Sequence, residues 1–347
     1  MSLKDIKSMS LSELKKDFEL LLQPSYRASQ VYLWLKKGVF SFDDMTNLPK
    51  QTREFLKSEY YITKLAIKNK RQSVDGTIKY LFELPDGELV ESVLMSYKHG
   101  YSMCLSTQVG CKMGCVFCST GKCGFTRNLS PSEILAQIEF AQIDSGVRVS
   151  NIVLMGMGEP LDNYENVVKF LKLVTSEDGL NIGMRHISVS TCGLVDKIYK
   201  LAEEKMPITL SVSLHAPNDE IRNKIMKINR RWGVAELIKA CKDYISSTGR
   251  RISFEYAMVD NLNDTPECAH ELADLLRGML CHVNLIPLNG MHEDDYLKKS
   301  SNNRIYKFKQ ILDKKGITTT VRRTLGEDIE ASCGQLKNKY LKDSKFL

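Results

Sequence analysis

The chain has 347 residues, of which 43% are hydrophobic and 26% are charged, and its formal net charge is +7. This composition is that of a globular protein with enough apolar material for a large core, and it excludes a disordered or collagen-like chain. No apolar run is long enough to cross a bilayer, and the charged N-terminus lacks the apolar core of a signal peptide. We therefore expect a cytoplasmic protein that does not associate with a membrane. The positive charge permits an acidic partner such as RNA but does not require one.

The beginning of the chain predicts helices. Apolar residues recur at spacings of three and four in residues 11–22, 26–37 and 49–60, as they do on one face of a helix. We therefore expect a helical accessory domain over residues 1–70.

This domain carries basic residues that could contact phosphates. They are Arg27, Lys36, Lys37, Lys50, Arg53 and Lys57. Tyr26, Tyr32 and Trp34 could stack on bases, but their spacing fits the apolar side of the helices better.

Residues 71–97 change the pattern. Two alternating apolar runs flank Pro85, Asp86 and Gly87, which is typical of a β-hairpin. We expect this segment to connect the accessory domain to a catalytic domain over residues 98–340.

The catalytic region alternates short β-rich runs with helical stretches. The predicted strands are 151–156, 186–191, 208–214, 252–259, 282–288 and 317–322. Ser130, Pro131 and Glu133 mark the start of one intervening helix with an N-cap, a proline and a capping-box acid. Such alternation predicts an α/β fold with parallel strands, as a doubly wound sheet or a whole or partial (β/α) barrel.

Three of the ten cysteines form a compact motif. Cys111, Cys115 and Cys118 have CxxxCxxC spacing, so three thiolates lie within eight residues. Four thiolates would close a zinc or 4Fe-4S site, whereas three leave one metal position open to another ligand. The alternatives are a zinc site completed by a remote histidine and a chance grouping. A disulfide framework is not expected in a reducing compartment.

This motif, with Phe117 before the last cysteine, resembles that of the radical S-adenosylmethionine (radical SAM) superfamily. The resemblance implies a partial (β/α) barrel in which Cys111, Cys115 and Cys118 bind a 4Fe-4S cluster whose fourth iron chelates SAM. Gly158 and Glu159, in the sequence GMGEP after a predicted strand, are similar to the superfamily's contact with the methionine amino group.

The finer resemblance is to radical methyltransferases that act on carbon 2 of adenine in 23S rRNA and tRNA. It spans nearly the whole chain and is carried by the strings QVGCKMGCVFCSTG, GMGEPLDN, VSTCG, SLHAPND and ASCGQL, and by Cys104 seven positions before the motif. The resemblance implies that Cys333 accepts a methyl group from one SAM and that a radical from a second SAM activates it. Cys104 then releases the adduct by forming a disulfide with Cys333, and Glu91 removes the ring proton.

The family also implies further cofactor contacts and partners. The positions that match its SAM site are Ser190, Ser213, Leu214, His215 and Asn289. The implied partners are 23S rRNA, tRNA and an electron donor such as flavodoxin or ferredoxin. Late basic residues that could meet the RNA backbone near Cys333 are Arg322, Arg323, Lys337 and Lys339.

The other cysteines are expected to be structural. Cys123 follows the motif closely, but a fourth thiolate would exclude the cofactor, and the remaining four, Cys192, Cys241, Cys268 and Cys281, fit packing positions. The charged residues before Cys333 and the adjacent Gly334 favour an exposed loop.

Three other functions stay open on the sequence. A sister family methylates carbon 8 of the same ribosomal adenine, but Pro160, Ser119 and Thr120 are typical of the carbon-2 group. A radical activase that forms a glycyl radical on a partner protein would need neither Cys104 nor Cys333. A non-catalytic RNA-binding protein with a structural metal would contain zinc and no cluster.

Overall fold

The N-terminal unit is a small helical domain with its own core. The computed structural model describes residues 3–122, 124–288 and 297–331. The elements of this unit are β1 (Lys4–Asp5), α1 (Leu11–Leu20), α2 (Ser25–Lys36), α3 (Lys50–Glu59) and β2 (Tyr60–Tyr61). A capping box between Ser10 and Glu13 starts α1, and Phe18 lies fully buried at the centre of the core. The three predicted helices are therefore present, with ends within two residues of those expected.

Four antiparallel strands follow the helical unit. They are β3 (Ala66–Gln72), β4 (Ile78–Glu83), β5 (Leu89–Tyr97) and β6 (Gly100–Cys104). The predicted hairpin is β4 and β5, which close around Asp86 with Glu83 opposite Leu89. Sequence alone did not show that β3 and β6 extend this hairpin on both sides. The connector is consequently part of the main sheet rather than a separate arm.

The cysteine motif lies in a loop closed by a small second sheet. Strands β7 (Gln108–Gly110) and β8 (Phe125–Asn128) pair antiparallel, and the short helix α4 (Ser119–Lys122) lies between them. The two strands hold the ends of the loop together.

The rest of the chain alternates helices and strands. The elements are α5 (Pro131–Ser145), β9 (Val149–Leu154), α6 (Tyr164–Thr175), β10 (Ile187–Thr191), α7 (Val195–Glu203), β11 (Thr209–Ser213), α8 (Asp219–Ile225), α9 (Val234–Thr248), β12 (Ile252–Met258), α10 (Pro266–Leu275), β13 (Cys281–Pro287), α11 (Asn302–Lys314) and β14 (Thr319–Val321). All six predicted strands are present, and the predicted capping box of Ser130 and Glu133 starts α5.

One ten-stranded sheet organises the molecule. Its order is β14-β13-β12-β11-β10-β9-β6-β5-β4-β3, and β6 and β9 to β14 are parallel. Each parallel strand lies beside the one before it in the chain, as in a barrel, whereas a doubly wound sheet reverses its order midway. The expected partial barrel is confirmed. No helix among the described residues is long and apolar enough to span a membrane.

The helical unit docks on the outside of the barrel. Lys7 forms an ion pair of 2.7 Å with Glu139 of α5, and both side chains are almost fully buried. The rings of Phe40 and Phe140 lie 4.6 Å apart across the same contact. Apolar packing and a buried ion pair thus hold the unit against α5.

Candidate active site

The carboxyl ends of the parallel strands surround a cavity of about 280 Å³. All three cysteines of the motif line one wall, and residues after β9, β10 and β11 line the other. This edge is where barrels of parallel strands carry their active sites, because several strand ends and their loops converge there.

Backbone hydrogen bonds fix the cysteine loop. Cys111 N donates to Gly124 O at 2.7 Å, and Val116 N donates to Ile225 O at 3.0 Å. Gly110 has φ +76°, and a Cβ there would lie 1.9 Å from Gly124 O, so only glycine fits at the start of the loop.

Burial and mutual repulsion disfavour negative charge on these thiols. Burial raises the pKa of Cys111 to about 12, and the nearby Cys118 and Glu159 add to the shift. The pKa of Cys115 is raised by burial and by both neighbouring thiols. A positively charged iron–sulfur centre would reverse this effect, since metal binding stabilises thiolates.

The donor set fits a cluster better than a single ion. Within residues 3–122, 124–288 and 297–331, no three His, Cys, Asp or Glu side chains lie close enough to hold one metal ion. The thiolates of a cluster bind different iron atoms and therefore do not need to converge on one point. Three sulfur ligands beside an open cavity leave room for the cofactor that would complete the site.

Gly158 and Glu159 line the same cavity as the cysteines and belong to the loop after β9. Gly158 has φ +100°, and its backbone lies directly against Gln108. Glu159 is buried and lines the cavity, and its two carboxylate oxygens accept from Leu161 N at 3.1 Å and Cys192 N at 2.7 Å. Burial raises the pKa of Glu159. Its carboxylate therefore joins two strand-end loops as well as facing the cavity.

Three of the other expected SAM contacts line the same cavity. Ser190 is on β10, Ser213 ends β11, and His215 follows it. The side chain of Leu214 is fully buried in the main core and does not line the cavity. Asn289 lies outside the described residues.

His215 is held as a neutral acceptor. Its Nδ1 accepts from Ala257 N at 2.9 Å, and its ring contacts Phe117 edge-on at 4.7 Å. Burial and the charge of Arg222 lower the pKa of His215 to about 3. Its φ of +59°, uncommon for a residue with a side chain, marks a constrained position.

A second cavity, of about 250 Å³, adjoins the first. Cys104 lines it and contacts an apolar cluster that includes Ala331. Met155 and Arg322 line both cavities. Cys333 lies outside the described residues and follows Ala331 by two positions in the sequence. Cys123, Lys337 and Lys339 are also outside them.

Glu91 is on β5, which contributes residues to the lining of the second cavity, but Glu91 itself does not line it. Val93 and Met95, two and four residues further along β5, do line it. Glu91 is buried, and its carboxylate lies 3.7 Å from Nζ of Lys79, which is also buried.

The segment before Cys333 differs from the exposed loop that we expected. Glu327 and Asp328 are exposed, but Gly326 and Ile329 are buried against the rest of the protein. The reason is a set of hydrogen bonds to the β3–β4 turn, which no local pattern indicates.

Two buried charged residues of the site have no local signal in the sequence. Arg222 is fully buried and donates to the carbonyl oxygens of Cys192 and Leu214, at 2.7 and 3.0 Å. Glu255 lines the cavity of the cysteine motif and accepts from Asn284 at 2.8 Å.

The four cysteines expected to pack in the interior are buried. They are Cys192, Cys241, Cys268 and Cys281. Cys192 also lines the cavity of the cysteine motif.

Part of the basic surface of the helical unit is engaged within the protein. Lys57 pairs with Asp43 and Glu54, and Lys36 donates to the carbonyl oxygen of Glu177 on the barrel. Tyr26 is exposed, contrary to the expectation from its spacing.

Comparisons with known proteins agree with this site. Residues 105–276 match the family described as the Radical SAM superfamily, and residues 4–62 match the ribosomal RNA large subunit methyltransferase N-terminal domain. A crystal structure of a radical SAM methyltransferase from Sphaerobacter thermophilus has a TM-score of 0.90 and 44% identity, covering 96% of this chain and 98% of that one. The fold and the three-cysteine cavity thus define a radical SAM enzyme.

Curated relatives identify the family within the radical SAM enzymes. A probable dual-specificity RNA methyltransferase RlmN from Clostridium tetani is 53% identical over 97% of this chain and 96% of its own length. One from Clostridium novyi is 50% identical over 99% of this chain and 100% of its own length. The chain belongs to the RlmN family of radical SAM methyltransferases. Because the chain belongs to this family, the alternatives of a radical activase and of a non-catalytic zinc protein are excluded.

Proposed function

We propose that this enzyme methylates carbon 2 of an adenine in 23S rRNA, and of an adenine in tRNA, through a methyl group carried on Cys333. The observation that carries the proposal is the pair of adjoining cavities. One is lined by Cys111, Cys115 and Cys118, and the other by Cys104 and by Ala331. The dual-specificity RNA methyltransferase names of the relatives support the two RNA substrates.

The residues around the first cavity would hold the cofactors. The three cysteines of the motif would bind a 4Fe-4S cluster. The SAM contacts would be Gly158, Glu159, Ser190, Ser213, His215 and Asn289, whereas Leu214 would support them from the core. When bound, these groups supply an electrophilic methyl group and a 5′-deoxyadenosyl radical.

Carbon 2 of adenine is not nucleophilic, so it cannot attack an electrophilic methyl group directly. A carbon radical reverses the roles, because it adds to an electron-poor ring. The protein therefore needs one thiol to carry the carbon and a second thiol to release the product.

Cys333 would act first, as a thiolate that displaces the methyl group of one SAM and releases S-adenosylhomocysteine. Its methyl carbon would then lose one hydrogen atom to the 5′-deoxyadenosyl radical, form a bond to carbon 2, and leave an RNA radical joined to the protein. Transfer of one electron from this adduct to an oxidised flavodoxin or ferredoxin, with loss of the carbon-2 proton, would restore the aromatic ring. Glu91 would accept that proton.

Cys104 would then attack the sulfur of Cys333. This step forms a disulfide, breaks the bond between Cys333 and the methylene carbon, and lets that carbon take up a proton to become the methyl group. Two electrons from an external reductant must reduce the disulfide before the next turnover. A flavodoxin or ferredoxin would supply the electron that cleaves SAM.

The site of action would be the cytoplasm, where both RNA substrates are found. Phosphates of the RNA would contact the basic residues beside the second cavity. Arg322, Arg323 and Lys299 all line it.

The second candidate, methylation of carbon 8, uses the same two thiols. Pro160 and Ser119 line the cofactor cavity, and with Thr120 they are the residues that favour carbon 2. An rRNA fragment and tRNA are incubated with the enzyme, digested to nucleosides and analysed by mass spectrometry against methyladenosine standards. This measurement distinguishes methylation of carbon 2 from methylation of carbon 8. The proposal predicts 2-methyladenosine from both RNAs, and 8-methyladenosine or unmodified RNA would contradict it.

A further inference from the structure

The segment before Cys333, residues 326–331, is hydrogen-bonded to the turn between β3 and β4. Gly326 N donates to Asp75 Oδ2 at 2.8 Å. Ser73 Oγ donates to one carboxylate oxygen of Asp328 at 2.5 Å, and Val74 N donates to the other at 3.2 Å. These partners are more than 250 positions apart in sequence, so the contact is a feature of the fold and not of local chain geometry.

A buried lysine adds a fourth bond from the same hairpin. Lys79 Nζ donates to the carbonyl oxygen of Glu330 at 2.7 Å. The Lys79 side chain is 0% exposed, and the Glu91 carboxylate lies 3.7 Å from its Nζ. Burying an ammonium is costly unless it is paired and hydrogen-bonded, so contacts such as these closely determine its position.

The strand register connects this lysine to Cys104. Lys79 lies opposite Val93, and Val93 lies opposite Cys104, in one row across β4, β5 and β6. Directly opposed residues point to the same face, and two strand spacings amount to about 10 Å. The bond to Glu330 therefore fixes the late segment on the face of the sheet that carries Cys104.

The backbone of the segment is constrained in the same place. Gly326 has φ +63°, and a Cβ there would lie 2.8 Å from Cβ of Ala331 and 3.1 Å from Thr77. Glu330 has φ +50° and is held there although it carries a side chain. Left-handed backbone at Glu330 costs free energy, so contacts with the rest of the protein must hold the segment in this conformation.

We infer that Ser73, Val74, Asp75 and Lys79 form a clamp that holds residues 326–331 at the Cys104 cavity, and that the clamp couples SAM cleavage to methyl transfer. This inference rests on the proposed function, since it assumes that Cys333 carries the methyl group. None of the four residues needs to touch substrate, so they are positioning residues.

A loosened clamp has a distinctive consequence. The cofactor cavity is formed by other strand ends, so cleavage of SAM continues, while the methyl carbon on Cys333 is misplaced for loss of its hydrogen atom and for addition to the RNA. Small misplacements of a reacting group reduce rates strongly. The ratio of 5′-deoxyadenosine to methyladenosine therefore reports on the clamp, whereas a general loss of structure lowers both products together.

The test uses the full chain, reconstituted anaerobically with its cluster and assayed with SAM and an rRNA fragment. Asp75→Ala removes the acceptor for Gly326 N, and we expect the product ratio to rise by about ten-fold. Asp75→Asn keeps an acceptor oxygen and should restore most of the coupling. Asp86→Ala is the matched control, because Asp86 lies in the turn on the other side of β4 and bonds to Glu88 N and Arg127 instead.

An unchanged ratio in Asp75→Ala, or an equal fall of both products, would overturn the inference. Ser73→Ala provides a milder second variant, with a smaller rise expected, in case Asp75→Ala does not fold. The wild-type enzyme separates the two proposals. If it makes no methyladenosine, the proposed function fails and the clamp fails with it, whereas normal wild-type product with normal coupling in the variants refutes the clamp alone.

Discussion

Gly158 shows how a single backbone position shapes the cofactor cavity. Its φ is +100°, and a Cβ there would lie 2.5 Å from Cβ of Gln108. Gly158→Ala should therefore cost about 1–3 kcal/mol of stability and weaken SAM binding. Gly249→Ala is the control, since Gly249 also has positive φ, +64°, but open space around it. Thermal unfolding and equilibrium SAM binding compare the two, and equal behaviour would contradict the close contact.

His215 gives a prediction for pH. Its folded pKa is depressed to about 3, from an ordinary value of 6.5. The stabilisation from keeping it neutral is thus complete above about pH 6.5 and is lost as the pH falls toward the folded value, by up to about 1.4 kcal/mol per pH unit.

The variant that checks this is His215→Asn, because an amide oxygen can replace Nδ1 as acceptor for Ala257 N and asparagine tolerates positive φ. Thermal midpoints measured from pH 7.5 down to about pH 5 should fall less steeply for the variant than for the wild type. Parallel curves would show that the pKa of His215 is the same in the folded and unfolded states.

Local sequence could identify only some of the site residues. The cysteine trio stands out by its spacing, and Gly158 by a short motif that resembles that of the radical SAM superfamily. Arg222 and Glu255 gain their roles from partners on other strands, at separations of about 30 residues. Such contacts depend on strand order, which a single sequence does not contain.

At the scale of elements, Arg222 joins α8 to the ends of β10 and β11. Its guanidinium donates to the carbonyl oxygens of Cys192, Ser213 and Leu214 and to Asn229. Arg222→Met would leave these buried acceptors without a donor, at a cost of at least about 3 kcal/mol, and would loosen the wall of the cofactor cavity.

Arg277→Met is the control, since Arg277 is exposed and pairs with Asp274 at the surface. Its replacement should change stability by less than about 1 kcal/mol. Equal thermal midpoints of the two variants would show that Arg222 does not organise these strand ends.

The elements themselves were largely predictable, because apolar periodicity and caps are local properties. The six later strands and the helices between them lie where alternation placed them. Strands β3, β6, β7 and β8 were missed, since they are polar or short and form through pairing with distant partners. The same cause explains why a hairpin expected as a connector is part of the ten-stranded sheet.

At the scale of the whole molecule, the helical unit is held to the barrel by a buried ion pair. Lys7 and Glu139 are 3% and 11% exposed in their side chains. Lys7→Glu should destabilise the protein by about 3 kcal/mol or more, because it places two like charges in a buried contact, and adding Glu139→Lys should recover much of the loss.

The exposed pair of Lys169 and Glu13 across the same interface serves as the control. Lys169→Glu should cost less than about 1 kcal/mol, as is usual for surface pairs. Thermal unfolding of the three variants and the wild type measures the difference. No recovery in the charge-swapped double variant would indicate that apolar packing, and not the ion pair, holds the unit in place.

We propose that the methyl carbon reaches RNA through a carbon radical on the Cys333 side chain. Anaerobic turnover with SAM whose methyl group is fully deuterated tests this route. We predict methyladenosine that carries two deuterium atoms, with the third in 5′-deoxyadenosine, and a methylated Cys333 in protein isolated before RNA is added. Methyladenosine that retains all three deuterium atoms would contradict the account, because it would mean direct polar transfer from SAM to RNA.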